Sequence, residues 1–171
     1  VIIMDEFEII GYSSIDELKR EAENSFSIYG NVDQYTNKFE SIHMLNSDFK
    51  VGLAYNYTGL KPEIVEVNET KLFIGFDKTI LCVDQYSNQL LQEKKGNSLF
   101  YEFIKVEKHG LLIAICELDL IVIDYEGEDV WAIGFRDLIE DFSKDGDILK
   151  VKCADGESFS FNIKNGQFIN G

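Results

Sequence analysis

The sequence has few of the residues that most often carry chemistry. Only two histidines and three cysteines occur among its 171 residues, and no Cys-x-x-Cys, His-Glu-x-x-His, Gly-x-Ser-x-Gly or phosphate-binding glycine pattern is present. We therefore predict no metal centre, no cofactor and no enzymatic activity. His43 and His109 are expected at the surface or partly buried, although a Ser-His-Asp arrangement can assemble in space without a sequence motif.

Positive charge is also scarce. Sixteen Lys and Arg oppose 31 Asp and Glu, so the net charge is −15 and the isoelectric point is about 4.4. This balance argues against a nucleic-acid backbone or an anionic membrane surface as partner, and it favours a basic protein partner or simply high solubility. No run of 18 apolar residues is present, so no transmembrane helix is expected.

Length and cysteine usage indicate a single domain in a reducing compartment. A chain of this length with 45% apolar residues can bury its own core, so one domain over residues 1–171 is predicted. Buried thiols in the cytoplasm are expected, because the cysteines are odd in number and each lies in an apolar, strand-like run: Cys82, Cys116 and Cys153. The apolar run over residues 1–4 is too short for a signal peptide, and the sequence leaves open whether a signal was removed.

The first 48 residues predict a helical segment that covers one end of the molecule. A loosely alternating stretch over 1–10 suggests an edge strand. A helix is predicted over 13–29, because Ser14 and Glu17 form a capping box and four apolar residues follow at helical spacing: Ile15, Leu18, Ala22 and Phe26. Gly30 is expected to end this helix, and the remainder of the segment shows no clear pattern.

From residue 49 onward the pattern changes to short apolar runs separated by Gly, Asn and Asp, which is typical of β-strands and turns. Three segments repeat this pattern at a period of about 40 residues, over 71–91, 111–131 and 148–169. In each repeat, a strand and a turn lead to a second strand that ends in Asp or Asn, whose side chain can bond to the following turn. These residues are Asp84, Asp124 and Asn162.

Further strands are predicted upstream of the first two repeats, at 64–67 and 99–106. The third repeat differs, because four apolar residues before it have the helical spacing i, i+3, i+4, i+7: Phe135, Leu138, Ile139 and Phe142. We therefore predict a short helix near 135–142. The resulting fold class is mainly β, an antiparallel meander of three blade-like repeats with an N-terminal helix and this second, short helix.

Over residues 63–170 the repeats resemble the blades of β-propellers of the pyrroloquinoline-quinone or tryptophan–aspartate type. The resemblance rests on the repeated strand–Asp–turn–strand pattern. Only the middle repeat has the expected tryptophan, Trp131. Three repeats are fewer than the four to eight blades of closed propellers. The resemblance therefore implies either capped sheet edges, with residues 1–48 as the cap, or a place in a larger assembly. A plain meander without propeller closure is the alternative.

Negative charge is concentrated in one stretch. Between Glu117 and Asp147 there are eleven acidic residues and only two basic ones, Arg136 and Lys144, so this window holds more than half of the excess negative charge. Such an acidic surface speeds association with a cationic partner and selects partners by sign. We predict that six of these acids bind a basic partner: Glu126, Glu128, Asp129, Asp137, Glu140 and Asp141. The candidate aromatic anchors are Tyr125, Trp131 and Phe135. The alternative is a solvated surface that only keeps the protein soluble.

Acidic residues beside glycine at 144–147 and 155–157 raise calcium binding as a further alternative. Neither stretch continues as an EF-hand loop with Glu at its twelfth position. Because Asp-Gly is also a strong hairpin signal, we predict turns there and no metal.

The sequence therefore predicts a non-enzymatic protein-binding domain. In general character the chain is similar to bacterial immunity proteins, which bind and neutralise a basic toxin or nuclease, although no particular residue carries this resemblance. The alternative function is a ligand-binding or scaffold domain of β-propeller-like type, which would pair with another copy through exposed sheet ends. The sequence leaves the oligomeric state open.

Overall fold

The structure, a computed structural model, describes residues 1–3 and 6–169, which form four small sheets and one α-helix. Residues 4–5 and 170–171 lie outside the described part, within the predicted edge strand and at the end of the chain. The first sheet and the helix comprise β1 (Ile2–Ile3), β2 (Phe7–Tyr12), α1 (Ile15–Ala22), β3 (Ile28–Gly30), β4 (Lys38–Met44) and β5 (Lys50–Tyr55). Its strand order is β1-β2-β4-β5-β3, and only β3 lies parallel to its neighbour.

The other three sheets are meanders in which each strand pairs with the next. The second sheet comprises β6 (Glu63–Val67), β7 (Lys71–Phe76), β8 (Thr79–Asp84) and β9 (Gln89–Lys95). The third comprises β10 (Phe100–Val106), β11 (Leu111–Cys116), β12 (Asp119–Asp124) and β13 (Asp129–Gly134). The fourth comprises β14 (Ile139–Asp145), β15 (Ile148–Cys153) and β16 (Ser158–Asn162), with a bridge from Phe161 to Phe168 beyond it. The predicted repeats and their upstream strands at 64–67 and 99–106 are confirmed.

The four sheets stack face to face in chain order, and three apolar layers separate them. Successive layers contain Leu53 with Leu72, Phe73 with Phe100, and Ile113 with Phe161. No apolar cluster of the described residues joins the first sheet to the fourth. The stack is therefore open and does not close into a ring.

The burial pattern of each strand follows from its place in this stack. All six residues of β11 are buried, because the third sheet has a neighbour on each face. In β15, by contrast, Leu149 and Val151 are buried while Lys150 and Lys152 are exposed. A strand with one solvated face shows period-two alternation, so the fourth sheet forms a polar end of the stack.

Helix α1 covers the outer face of the first sheet at the opposite end of the stack. Leu18 and Ala22 are buried there against the sheet. The helix starts as predicted, since the backbone N–H of Glu17 donates a 3.2 Å hydrogen bond to Ser14 Oγ. Glu17 Oε2 accepts in return from the backbone N–H of Ser13, one residue earlier than a capping box requires.

The predicted helix over 13–29 is too long. The structure ends α1 at Ala22, and Phe26 instead packs its ring 6.1 Å from that of His43. Gly30 does not end a helix; it ends β3, with a φ of +111°. A Cβ at this position would overlap the carbonyl oxygen of Ala54. The chain leaves the helix at the C-cap Glu23 and at Asn24, which has a left-handed φ of +59°, and β3 then pairs with β5.

The predicted helix near 135–142 is wrong, because the chain forms a loop there and then β14. Ile139 and Phe142 both pack against the layer between the third and fourth sheets. A register shift between Ile139 and Asp141 marks a β-bulge. The extra residue puts these two apolar side chains on one face at a separation of three instead of two. The bulge therefore produced the helix-like spacing, and Leu138 is 42% exposed.

A fourth blade-like sheet, the first in the chain, was not predicted, apart from the strand over 1–10, where the structure has β1 and most of β2. The hairpin of β4 and β5 spans residue 49, where the sequence pattern changes. Strand β4 gave no clear pattern because Glu40 and Ser41 are buried beside Ile42. Glu40 is compatible with burial because it accepts a 2.9 Å hydrogen bond from the Tyr55 hydroxyl.

Candidate functional site

Three of the six predicted partner-binding acids contact the second sheet of the same chain. They lie at the turn between β12 and β13 and at the start of β13. Their partners are side chains of β7 and β9: Glu126 pairs with Lys71, Glu128 with Gln92, and Asp129 with Lys94. These contacts link the third sheet to the second and neutralise part of the local negative charge, although the side chains of Glu126 and Asp129 stay 72% and 58% exposed.

The other three acids lie at the opposite end of β13. A six-residue strand is about 20 Å long, so the structure separates the two groups. Glu140 and Asp141 are exposed at the start of β14, and Asp141 lies opposite Lys152 on the outer face of the fourth sheet. Asp137, in the loop before β14, is the member of this group that lines the groove described next.

A groove of about 290 Å³ lies between the end of β13 and the fourth sheet. We call it the Phe159 groove. Its lining comes from the end of β13, the loop before β14, the β15–β16 hairpin and the segment after β16. The lining residues are Ile133, Gly134, Phe135, Arg136, Asp137, Cys153, Asp155, Glu157, Phe159 and Phe168.

Aromatic rings form the apolar part of the Phe159 groove. The Phe159 ring centroid lies 5.4 Å from that of Phe135 and 6.1 Å from that of Phe168. Phe168 is 60% exposed, and Phe135 and Phe159 are half-buried. Contiguous apolar surface that stays exposed is a common mark of an interaction site.

Three carboxylates, those of Asp137, Asp155 and Glu157, lie around these rings. None of them takes part in an ion pair with another residue that the structure describes. Burial, together with the negative charges of Asp155, Asp137 and Glu157, raises the pKa of the Cys153 thiol. Arg136 supplies the opposing charge in the lining, so the groove is acidic on balance.

The three predicted aromatic anchors have different places. Phe135 lines the Phe159 groove. Trp131 instead donates a 2.6 Å hydrogen bond from Nε1 to the carbonyl oxygen of Ile163 and holds the third sheet to the fourth. Tyr125 packs between the second and third sheets, and burial raises the pKa of its hydroxyl. Sequence reasoning missed Phe159 and Phe168. Phe159 belongs to an alternating strand and Phe168 follows a turn, so the sequence pattern gives both the look of ordinary strand residues.

A hydroxyl–imidazole–carboxylate array lies beneath α1. Ser41 Oγ is 2.9 Å from His43 Nε2, and His43 Nδ1 is 3.5 Å from Glu8 Oε1. The Tyr12 hydroxyl lies 2.9 Å from Ser41 Oγ. Burial, and then the charge of Lys50, lowers the pKa of His43. Ser41 is fully buried, so its hydroxyl is closed to a substrate and the array serves to tie β2 to β4.

The cysteines and histidines have the expected burial. Cys82, Cys116 and Cys153 are free thiols in the interior, and both histidines are partly buried. His109 Nε2 lies 2.7 Å from Asp147 Oδ1 and thereby connects the third sheet to the fourth. Among the helices of the described residues, none has the length and apolar character needed to span a membrane.

Comparison with known proteins gives a fold and no family. The chain matches no protein-family model and no curated protein sequence. Among solved structures it is similar to the computationally designed Ika4 protein, with a TM-score of 0.52 and 18% identity over 67% of this chain and 73% of that one. For BamB from Moraxella catarrhalis the TM-score is 0.50, with 16% identity over 81% of this chain and 49% of that one. For the dihydro-heme d1 dehydrogenase NirN the TM-score is 0.54, with 12% identity over 78% of this chain and 32% of that one.

These three proteins have β-propeller folds, so the chain has a β-propeller-like fold built from four sheets. It spans about half the length of BamB and a third of NirN. At these identities the likeness concerns the fold alone. The comparisons give no support to the resemblance to immunity proteins.

Proposed function

We propose that the chain is a non-enzymatic protein-binding domain and that the Phe159 groove takes a basic segment of its partner. The segment carries an aromatic or aliphatic side chain that packs on the rings of the groove. The observation that supports this proposal is the combination of exposed aromatic surface with carboxylates that lack an ion-pair partner in the described chain.

The two parts of the groove have different roles in this proposal. Burial of an aromatic ring against other rings contributes about 0.5–1.5 kcal/mol beyond the area that it removes from water. The rings around Phe159 therefore supply affinity. Asp137, Asp155 and Glu157 lie at the rim, where charges act mainly on the association rate and on the choice of partner.

The proposal narrows the acidic surface that the sequence analysis predicted. Asp137 stays in the proposed site, whereas Asp141 lies on the outer face of the fourth sheet, Glu140 is exposed outside the groove lining and Glu126 is paired with Lys71. A toxin or nuclease is one class of basic partner, and a role as its immunity protein rests on net charge alone. A cytoplasmic location also stays a prediction, made from the free cysteines.

Assembly through exposed sheet ends has less support as a function. One end of the stack is covered by α1, and the other presents Lys150, Lys152 and Ser158 to solvent. Neither surface resembles the apolar face that stacking with another copy would bury.

Peptide binding tests the proposal. The probe is a short fluorescent peptide in which lysines flank a phenylalanine, measured by fluorescence anisotropy. A triple variant with Asp137→Asn, Asp155→Asn and Glu157→Gln is expected to bind about tenfold more weakly, because each rim charge contributes up to about 1 kcal/mol. Phe168→Ala is expected to weaken binding to a similar degree.

A matched triple variant controls for net charge. Glu140→Gln, Asp141→Asn and Asp145→Asn remove three exposed carboxylates of β14 and should leave the affinity unchanged. Equal weakening by both triple variants would show a general charge effect and would contradict the site. Equal binding of a peptide with glutamates in place of lysines would also contradict it.

A further inference from the structure

A second groove lies between two turns at one end of the first and second sheets. The turn between β4 and β5 contributes residues 45–48, and the turn between β8 and β9 contributes Gln85, Tyr86 and Asn88. The groove has a volume of about 440 Å³, within the range of small-molecule sites. It shares no residue with the Phe159 groove.

Gln85 fixes the floor of this groove. Its side chain is 2% exposed, and its Oε1 accepts a 3.0 Å hydrogen bond from Ser47 Oγ. Its Nε2 donates to Glu66 Oε2 at 2.7 Å and to the carbonyl oxygen of Glu69 at 3.2 Å. Both amide protons are thus used, and the contact with Ser47 ties one turn to the other. The two turns are therefore held in place before any ligand arrives, which lowers the entropic cost of binding.

The walls and the rim of the groove have different chemistry. Tyr86 is 65% exposed and Leu45 is 51% exposed, so the walls offer an aromatic and an aliphatic surface. The side chains of Asn46, Asp48 and Asn88 make no hydrogen bond to other residues that the structure describes. Amide groups both donate and accept, and a carboxylate accepts, so the rim can pair with ligand hydroxyl groups.

The lining excludes other ligand classes. It contains no Lys, Arg or His, and so it has no cation to hold a phosphate or a carboxylate. Its one charged residue is Asp48, which does not by itself select a cation. A ligand that fits has hydroxyl groups on its edge and apolar C–H groups on its face.

From this chemistry we propose that the groove binds a neutral pyranose sugar of one or two rings. The C–H face of the sugar packs on Tyr86 and Leu45, and its hydroxyl groups pair with Asn46, Asp48 and Asn88. The proposal does not depend on the Phe159 groove, and either proposal can fail without the other.

Tyr35 provides a matched control. It is 66% exposed, like Tyr86, and it also lies in a turn. The neighbouring side chains of Asp33 and Thr36 are used within the turn, since Asp33 Oδ1 accepts from the backbone N–H of Tyr35 and Thr36 Oγ1 accepts from that of Asp33. Exposed tyrosine without a free polar rim should therefore bind no sugar.

The test follows backbone amide signals by NMR during titration with maltose, cellobiose and N,N′-diacetylchitobiose, each to about 20 mM, because an affinity of about 1 mM saturates there. At least one sugar is expected to shift the amides of residues 45–48 and 85–88. Tyr86→Ala and Asp48→Ala should each weaken this binding several-fold, whereas Tyr35→Ala should not change it. The absence of shifts with all three sugars, or equal binding by Tyr86→Ala, would overturn the proposal.

Discussion

Buried polar side chains of the first sheet are paired with one another, and the pairing sets their protonation. The Tyr55 hydroxyl donates to Glu40 Oε2, and Lys38 Nζ lies 3.4 Å from the other carboxylate oxygen. Burial and the charge of Glu40 raise the pKa of Tyr55, which keeps the hydroxyl protonated as a donor. The pKa of the partly buried His43 imidazole is lowered instead, because burial disfavours its charged form.

Acid is therefore expected to destabilise the protein through His43. Its pKa in the folded chain lies below the usual value of 6.5, so the unfolded chain takes up the proton first as the pH falls. The contribution of neutral His43 to the free energy of unfolding is complete above about pH 6.5, and it is lost as the pH falls toward the pKa of His43 in the folded chain. Lys50 adds to this effect, whereas Glu8 and Glu21 oppose it.

Urea unfolding at about pH 7 and about pH 5, at constant ionic strength, measures this effect. The wild-type chain should lose more of its free energy of unfolding on acidification than His43→Gln does. An equal pH dependence of the two chains would contradict the assignment to His43.

At the scale of elements, neighbouring sheets interlock where one side chain takes the space of another. Gly75 in β7 leaves room for the ring of Phe100 from β10, and the Phe100 side chain is almost fully buried. A Cβ at position 75 would overlap this ring. The close approach of the second and third sheets thus depends on a glycine whose backbone needs no special conformation.

Gly75→Ala is expected to lower the free energy of unfolding by about 1–3 kcal/mol, because the ring is held by its layer and cannot move aside cheaply. Gly11→Ala is the matched control, since Gly11 also lies in a strand and a Cβ there would meet nothing within 4 Å. Urea denaturation of both variants measures the difference. A loss at Gly75 no larger than that at Gly11 would show that the sheets can separate slightly at little cost.

The element between 135 and 142 shows how sequence reasoning fails locally. The spacing of Phe135, Ile139 and Phe142 matches a helix, yet Phe135 lies in a loop and a bulge in β14 places Ile139 and Phe142 three residues apart on one face. Periodicity alone cannot distinguish the two, because it records which side chains are buried and not the backbone that buries them. By contrast, Ser14 marked the start of α1 correctly, since a cap acts through backbone groups within three residues.

At the scale of the whole molecule, the excess of negative charge opposes the compact state. The net charge is −15 with every Lys and Arg already counted, and six lysine–carboxylate pairs of the described residues place opposite charges next to each other. Most of these pairs have an exposed partner, so salt weakens attractions that are small already. Screening of the repulsion between the remaining acids is the larger effect.

Raising NaCl from about 0.02 M to about 0.3 M is therefore expected to raise the Tm, because the Debye length falls well below the spacing of distant charges. Scanning calorimetry or circular dichroism measures the change. The triple variant Glu140→Gln, Asp141→Asn, Asp145→Asn has three fewer negative charges, so its Tm should rise less with salt. A fall of the Tm with salt would mean that the ion pairs outweigh the repulsion.

The repeated strands, their turns and the helix cap could be predicted from the sequence, because these features depend on neighbours along the chain. Asp84, Asp124 and Asn162 each accept a backbone hydrogen bond in the turn that follows their strand, as predicted. Apart from the strand over 1–10, the first sheet was not predicted, because β4 buries Glu40 and Ser41 and the partner that satisfies Glu40, Tyr55, comes from the neighbouring strand β5.

Which carboxylates of the acidic stretch have an ion-pair partner depends on the tertiary structure. Glu126 and Asp137 look alike in the sequence, yet one meets a lysine of the second sheet and the other borders an aromatic groove. A charge pattern gives the number of carboxylates but not what the neighbouring sheet places opposite each of them. The stacking of the sheets supplies those neighbours, so some carboxylates of one acidic stretch pair with the second sheet and another borders the Phe159 groove.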